Sequence, residues 1–405
     1  MPSTPPDGAP APLDGTLPDA ALAELKERPL SFYLHVPYCS TRCGYCDFNT
    51  YTAEDLGPGV SRASYADQAI AEIRLARRVL GEVDLPVHTV FVGGGTPTLL
   101  PAGDLGRMLR AVREEFGLAA DAEVTTEANP DSVTLKGLEL LRQSGFTRMS
   151  FGMQSTAPHV LAVLDRTHTP GRAIEVVAEA RRAGFEHVSL DLIYGTPGET
   201  EADFAASLAA AIGSGVDHVS AYSLIVEDGT RLAVRIRRGE LPMTDDDVAA
   251  DRYLQAEAAL AGAGMLWYEV SNWARPGGRC RHNLAYWRGD HWWGVGPGAH
   301  SHVGGVRWWN VRHPVAYADR IGVGHSPAQG REVLAAEDRR IEDVLLRLRL
   351  SEGLPLSVLH PAGHAAAARA VSDGLLEPAA YEKELAVLTL RGRLLADAVV
   401  RDLVD

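Results

Sequence analysis

The chain has 405 residues, 46% of them hydrophobic and 23% charged, enough for a sizeable core in one large domain with an appendage, or in two domains. Its net charge of -14 and pI near 5.5 argue against a basic nucleic-acid or anionic-membrane surface as the main binding feature. No run of eighteen apolar residues occurs and the N-terminus has neither a basic nor an apolar signal segment, so a cytoplasmic protein, not integral to a membrane, is expected.

Residues 1–28, rich in Pro, Ala and Asp without apolar periodicity, are expected to form a disordered leader. From Leu30 onward, short β-rich runs alternate with amphipathic Ala- and Leu-rich stretches, the pattern of consecutive βα units around a parallel sheet. Strands are predicted at Phe32 to Pro37, His88 to Val92, Glu123 to Glu127, Arg148 to Met153, Val188 to Tyr194 and His218 to Ile225. Each gap is long enough for a crossover helix, so residues 29–240 are expected to form a partial (β/α)6 barrel of the TIM type. Pro130-Asp131-Ser132 marks the start of one helix, and Thr200 to Asp203 reads as a capping box before another.

A helix is predicted from Thr244 to Gly264. Within a connecting region at 241–330, the Gly-, Trp- and His-rich stretch from Tyr268 to Trp309 lacks periodicity and is expected to be ordered loop. Residues 331–405 mix helical segments with a short apolar pair, Gly374 to Glu377 and Ala386 to Arg391, as in a small α+β, winged-helix-like domain. The acidic balance argues against DNA binding by it.

Three of the four cysteines fall within eight residues, Cys39-Ser-Thr-Arg-Cys43-Gly-Tyr-Cys46, too cramped and too odd in number for a disulfide framework. Clustered thiolates on one loop hold iron–sulfur cubanes, and three ligands leave one iron open to a chelating amino and carboxylate group. A zinc knuckle would need a fourth ligand nearby, and the sequence has none. Gly93-Gly94-Gly95-Thr96-Pro97-Thr98 ends the second strand, where glycines let the backbone approach a ligand. Glu127, Gln154, Arg166 and Asp191 lie at or just after strand ends, where barrel sites are built, although each alone is as readily a satisfied structural group.

The C-x3-C-x2-C spacing directly after a first strand resembles the radical S-adenosylmethionine (SAM) superfamily. The resemblance implies a [4Fe-4S] cluster on Cys39, Cys43 and Cys46. It implies SAM beside it on Gly94, Gly95, Thr96, Glu127, Gln154, Arg166 and Asp191, with Tyr33 and Tyr45 on the adenine side. Tyr33-Leu-His-Val-Pro-Tyr-Cys39, Arg148-Met-Ser-Phe-Gly-Met-Gln-Ser155 and Asp191-Leu-Ile-Tyr-Gly-Thr-Pro-Gly198 look like the oxygen-independent coproporphyrinogen III oxidase relatives, over Leu30 to the C-terminus.

Within that group, the Cys-x-Cys of the oxidases is replaced by Cys46-Asp-Phe48, and their ordered N-terminal arm has no counterpart. His282-Asn283-Leu-Ala-Tyr286-Trp287 matches the H-N-x-x-Y-W motif of the haem chaperone branch, the HemW family. This resemblance implies a haem carrier that serves an acceptor haem protein, such as a respiratory one. A flavodoxin-type electron donor and a homodimer are compatible with it. The competing reading is a coproporphyrinogen III oxidase, an enzyme that decarboxylates two propionates; tRNA modification is disfavoured by the charge.

Imidazole is a good axial ligand for haem iron, and Tyr286 and Trp287 offer flat faces to a porphyrin, so all three are candidate haem contacts. The alternative is that His282 and Asn283 merely fix an irregular loop. His291, His300 and His302 are further candidate ligands or structural donors. Cys280, lacking a C-x-x-C-H context, is expected to be an ordinary free thiol.

Overall fold

The computed structural model describes residues 8–56 and 62–404. Its strands, in chain order, are β1 Ala9–Pro10, β2 Leu30–Val36, β3 Val87–Gly94, β4 Leu118–Ala128, β5 Arg148–Gln154, β6 His187–Tyr194 and β7 His218–Ser223. They continue with β8 Leu266–Glu269, β9 Asn272–Ala274, β10 His291–Val295, β11 His300–Val303, β12 Val306–Asn310, β13 Ala328–Val333, β14 Leu354–Pro355 and β15 Leu385–Ala386. All six predicted barrel strands are present, and β2 to β7 pair in parallel in chain order.

Helices Tyr65–Leu80, Ala102–Phe116, Leu135–Ser144, Arg172–Arg182 and Glu201–Gly213 cross between consecutive strands. Their apolar faces pack on the sheet, leaving Phe32, Val90, Val92, Phe151, Leu190 and Val219 fully buried. Local chemistry sets the helix ends as expected. Thr200 accepts from the Asp203 amide while Asp203 caps the Thr200 N–H, and Gly145 closes its helix at φ 109°. The helix predicted at Thr244 to Gly264 spans Asp246–Gly262.

Three expectations are corrected. Residues 8–28 are no free leader: β1 pairs antiparallel with β13, and Leu17, Ala21 and Leu25 are buried in the main core. The three leucine and alanine side chains are spaced by four, one helical face, a signal too short to stand out against the surrounding Pro and Asp. Residues 1–7 of the expected leader lie outside the described residues.

Nor is Tyr268 to Trp309 a loop. It supplies half of β8, most or all of β9 to β12 and the helix Arg281–Arg288. Here β10 lies parallel to β2, while β11, β12, β13 and β1 extend the sheet antiparallel beyond it; β9 and β8 extend the other edge from β7. Aromatic residues favour strands, but the glycines between them hide the alternation.

The expected boundary at 331 also moves, because β13 carries the large sheet to Val333. The C-terminal module has its own core around Val344, Leu348, Leu354, Ala367, Leu376, Leu388, Val399 and Leu403. It joins helices Ala336–Arg347, Pro361–Ser372 and Ala396–Val404 to the β14–β15 ribbon, the small α+β arrangement expected, and the apolar pair meets as a single Leu376–Leu388 bridge. Among the described residues no helix is long and apolar enough to cross a membrane.

Candidate functional site

Inward positions of β2 through β7 line one cavity of about 590 Å³ at the C-terminal ends of these strands, which shows that the sheet curls. Tyr33, Cys39, Cys43, Tyr45, Cys46, Gly94, Gly95, Thr96, Glu127, Gln154, Arg166 and Asp191 all face it. His282 and Tyr286 also line it, from the helix that follows β9. Thus residues up to 253 positions apart (286 − 33) converge as the βα reading requires.

The cysteine loop is held by backbone bonds on several sides. Cys39 N–H donates to Tyr51 (3.0 Å), Tyr51 N–H to Pro37 (2.7 Å), Gly44 N–H to Leu164 (3.0 Å) and Leu232 N–H to Gly44 (2.9 Å). The glycine turn after β3 docks on the same loop: Gly95 N–H donates to Val36 (2.8 Å) and Thr96 N–H to Tyr38 (2.7 Å). A Cβ on Gly95 would lie 2.4 Å from the Tyr38 carbonyl and 3.0 Å from Cys39 Sγ, so only glycine permits this approach.

All three thiols are free. Burial pushes the Cys39 thiol up to about 11 and raises that of Cys46. Arg166 reaches Cys43 Sγ at 3.6 Å while donating to the Gly152 carbonyl at 2.9 Å. Among the described residues no three His, Cys, Asp or Glu side chains converge tightly enough to hold one metal ion. Cys39, Cys43 and Cys46 face one cavity from one loop, a donor set that would suit the three separate iron corners of a [4Fe-4S] cubane. When bound, such a cluster supplies one-electron chemistry.

Two carboxylates stand deeper. Burial, helped by the Asp191 charge, pushes Glu127 up to about 8, and its Oε2 accepts the Gly94 N–H at 3.1 Å. Burial raises Asp191 to about 6, although Ser150 donates to both its oxygens at 3.1 and 3.2 Å. Gln154 ends β5 at φ 61°, a strained backbone for a non-glycine residue, and its buried Oε1 has no partner. An orphaned acceptor, two carboxylates and an arginine around one cavity fit the amino, carboxylate and hydroxyl groups of SAM.

His282 is buried, its ring stacked on Phe91 at 5.1 Å. Both ring nitrogens are engaged, Nδ1 with Thr89 Oγ1 at 2.7 Å and Nε2 with Tyr286 OH at 3.0 Å, and burial drives its pKa down to about 3. Its backbone N–H donates to Glu123 Oε1 at 3.0 Å. Trp287 does not share the cavity; it walls a second hollow of about 300 Å³ with Tyr222, Glu269, Asn272, Asn283 and Leu346. Among the described residues only Tyr222, Asn283 and Tyr286 touch both spaces.

His291 is buried, bonded to the Glu24 carbonyl and the Gly304 N–H, and His302 meets the Asp290 carbonyl at 3.2 Å; His300 is half-buried against Trp309. All three lie outside the cavity. Cys280 is buried in the cavity wall, its Sγ 3.6 Å from Glu123 Oε1, and its thiol is pushed far up by burial.

The sequence reading missed Phe91, Arg148, Ser150, Ser189, His218, Ser220 and Tyr222, which also line the cavity. Strand alternation carried that signal: Arg148, Ser150 and Gly152 on β5, and His218, Ser220 and Tyr222 on β7, share one face.

The Radical SAM superfamily model matches residues 33–211. The Heme chaperone HemW of Mycobacterium tuberculosis H37Rv is 55% identical over 94% of this chain and 96% of its own. That of Escherichia coli K12 is 34% identical over 82% and 85%. The solved structure of the radical SAM enzyme coproporphyrinogen III oxidase (HemN) from Escherichia coli superposes with a TM-score of 0.80 at 24% identity, covering 96% of this chain and 94% of that one, which shows the shared fold. By its cysteine loop, its barrel and its end-to-end likeness to these relatives, the chain belongs to the HemW family of radical SAM proteins.

Proposed function

We propose that this protein binds haem in the cytoplasm and hands it to an acceptor haem protein, while the barrel mouth keeps a [4Fe-4S] cluster and SAM as a control site. The observation that carries the reading is the 55% identity, across nearly the whole of both chains, to a protein named as a haem chaperone. Phe48, standing where the oxidase pattern has another cysteine, is 52% exposed at the rim of the cavity and supports the same side.

Tyr286 and Trp287 wall the second hollow, and Tyr286 also borders the barrel cavity that His282 lines, so a porphyrin stacked on Tyr286 reaches His282 from the barrel side. His282 is the proposed iron ligand. Its Nε2 is held by Tyr286, so ligation requires that the phenol swing away.

The test is anaerobic cluster reconstitution, then haem titration with and without SAM and transfer to an apo-acceptor. Stoichiometric haem binding and transfer, without turnover of coproporphyrinogen III, is expected. Steady formation of protoporphyrinogen would overturn the proposal in favour of the oxidase.

A further inference from the structure

Asn49 follows the cluster cysteines by one short stretch, Cys46-Asp-Phe-Asn49, and is half-buried. Both polar atoms of its side chain are engaged. Nδ2 donates to the Pro297 carbonyl at 3.0 Å and to the Arg312 carbonyl at 2.8 Å, while Oδ1 accepts from Tyr51 OH at 3.1 Å and from Arg312 Nε at 3.3 Å. A carbonyl only accepts and a guanidinium only donates, so these partners fix which way the amide points. The Asn49 backbone carbonyl accepts His35 Nε2 at 2.9 Å, which ties the same residue to β2.

The two carbonyls that receive Nδ2 are distant in sequence. Pro297 lies in the turn between β10 and β11, and Arg312 follows β12. They are braced from behind. Gly298 N–H donates to the Val311 carbonyl at 2.9 Å. Gly296 N–H and Asn310 Nδ2 each donate to a Glu72 carboxylate oxygen at 2.8 Å, and Tyr317 OH donates to it at 2.6 Å. Glu72 is fully buried on the helix Tyr65–Leu80, the crossover that follows the cysteine loop. At Gly298, with φ 73°, an added Cβ would lie 2.5 Å from Asn49 Nδ2, so glycine is what lets the turn come this close.

The backbone N–H groups of Cys46 and Thr50 bond locally, to the Cys43 and Phe48 carbonyls at 3.3 and 2.8 Å. Such bonds close the loop on itself without placing it in the fold. Asn49 supplies a long-range tie on this stretch.

We propose that Asn49 is a positioning residue for the cluster: its side-chain amide fastens the exit of the cysteine loop to the β10–β11 turn and to the chain after β12, and so sets where Cys46 stands. The proposal rests on the cluster reading of Cys39, Cys43 and Cys46 and not on haem carriage. Among the described residues none of β10 to β13 lines the cavity, so this antiparallel extension acts on the cluster through Asn49.

The test uses the full chain with its cluster reconstituted anaerobically. Asn49→Asp keeps the shape of the side chain and the Arg312 contact but cannot donate to either carbonyl. With two hydrogen bonds lost, iron release to a chelator, measured well below melting, is expected to quicken about ten- to a hundredfold. The g-values of the reduced cluster should shift as well. Gly298→Ala, which leaves the cysteine loop unchanged and crowds Nδ2 from the far segment, is expected to do the same. Leu403→Ala, in the separate C-terminal core, controls for loss of stability alone: it lowers the melting temperature and leaves iron release as in wild type. Iron release from Asn49→Asp no faster than from Leu403→Ala overturns the positioning role. Should Asn49→Asp fail to fold, Gly298→Ala decides by the same comparison. A wild-type chain that takes up neither iron nor sulfide overturns the cluster reading and the proposal together, whereas equal release rates from loaded chains remove the Asn49 role alone.

Discussion

Glu127 Oε2 accepts the Gly94 N–H at 3.1 Å, so the carboxylate at the end of β4 is tied to the glycine turn that docks on the cysteine loop. The pair joins the proposed SAM-binding carboxylate to the backbone that shapes the cluster site. A change at either residue is felt at the other.

Glu127→Gln keeps the Gly94 contact through its amide oxygen but cannot ionise. The folded pKa near 8 lies above the ordinary carboxylate value of 4.5, so Glu127 favours the unliganded fold at low pH and loses that contribution as pH rises through 8. The variant is expected to melt with a shallower loss of stability between about pH 5 and 8 than wild type. Its SAM affinity should fall about ten- to a hundredfold, from about 1.5–3 kcal/mol for a lost hydrogen bond to a charged group. Scanning calorimetry and SAM titration check both arms; equal pH slopes would remove Glu127 from this role.

Gly95→Ala should strip the protein of its cluster, because the new methyl would press on the Tyr38 carbonyl and Cys39 Sγ. Iron and sulfide content after reconstitution is expected to match that of Cys43→Ser. Cys280→Ala should retain the full complement, since Cys280 stands outside the cysteine loop and its thiol is engaged with Glu123 at 3.6 Å.

Arg148 and Glu123 form a buried ion pair at 3.2 Å, and Arg148 also donates to the Gly278 and Arg279 carbonyls at 2.8 and 3.0 Å. Arg148→Met removes the ion-pair partner of Glu123 and leaves it only the His282 N–H and the Cys280 thiol, which costs about 3–5 kcal/mol. Urea denaturation monitored by circular dichroism measures it. A loss under 1 kcal/mol would show that the pair is solvated (about 1 kcal/mol being the upper range for exposed pairs).

Tyr286→Phe separates the two readings of His282. If His282 ligates haem iron, removing the phenol frees Nε2 and haem binding tightens, while His282→Ala abolishes it. If His282 only holds its helix against Thr89 and Phe91, both variants lower the melting temperature and leave haem titration alike.

The barrel was legible because its strands are mostly buried: Phe32, Val90 and Leu190 are fully covered and sit in runs whose β-branched and apolar content is hard to read otherwise. The cysteine loop and the strand-end polar residues followed from that frame. What stayed hidden were pairings between distant segments. The two residues of β1 carry no strand signal of their own and become a strand only because β13 offers its edge. Trp287 was grouped with His282 by adjacency in sequence, but successive residues on a helix point about 100° apart, and five positions separate the two rings into different spaces.

Strand β2, which leads into the cysteine loop, is covered on its outer edge by β10. During synthesis at about 5–20 residues per second, that edge stays bare for on the order of tens of seconds after β2 emerges. A naked strand edge invites pairing with a foreign chain. Truncated products ending before His291 should therefore leave the β2 edge open and accumulate as aggregates.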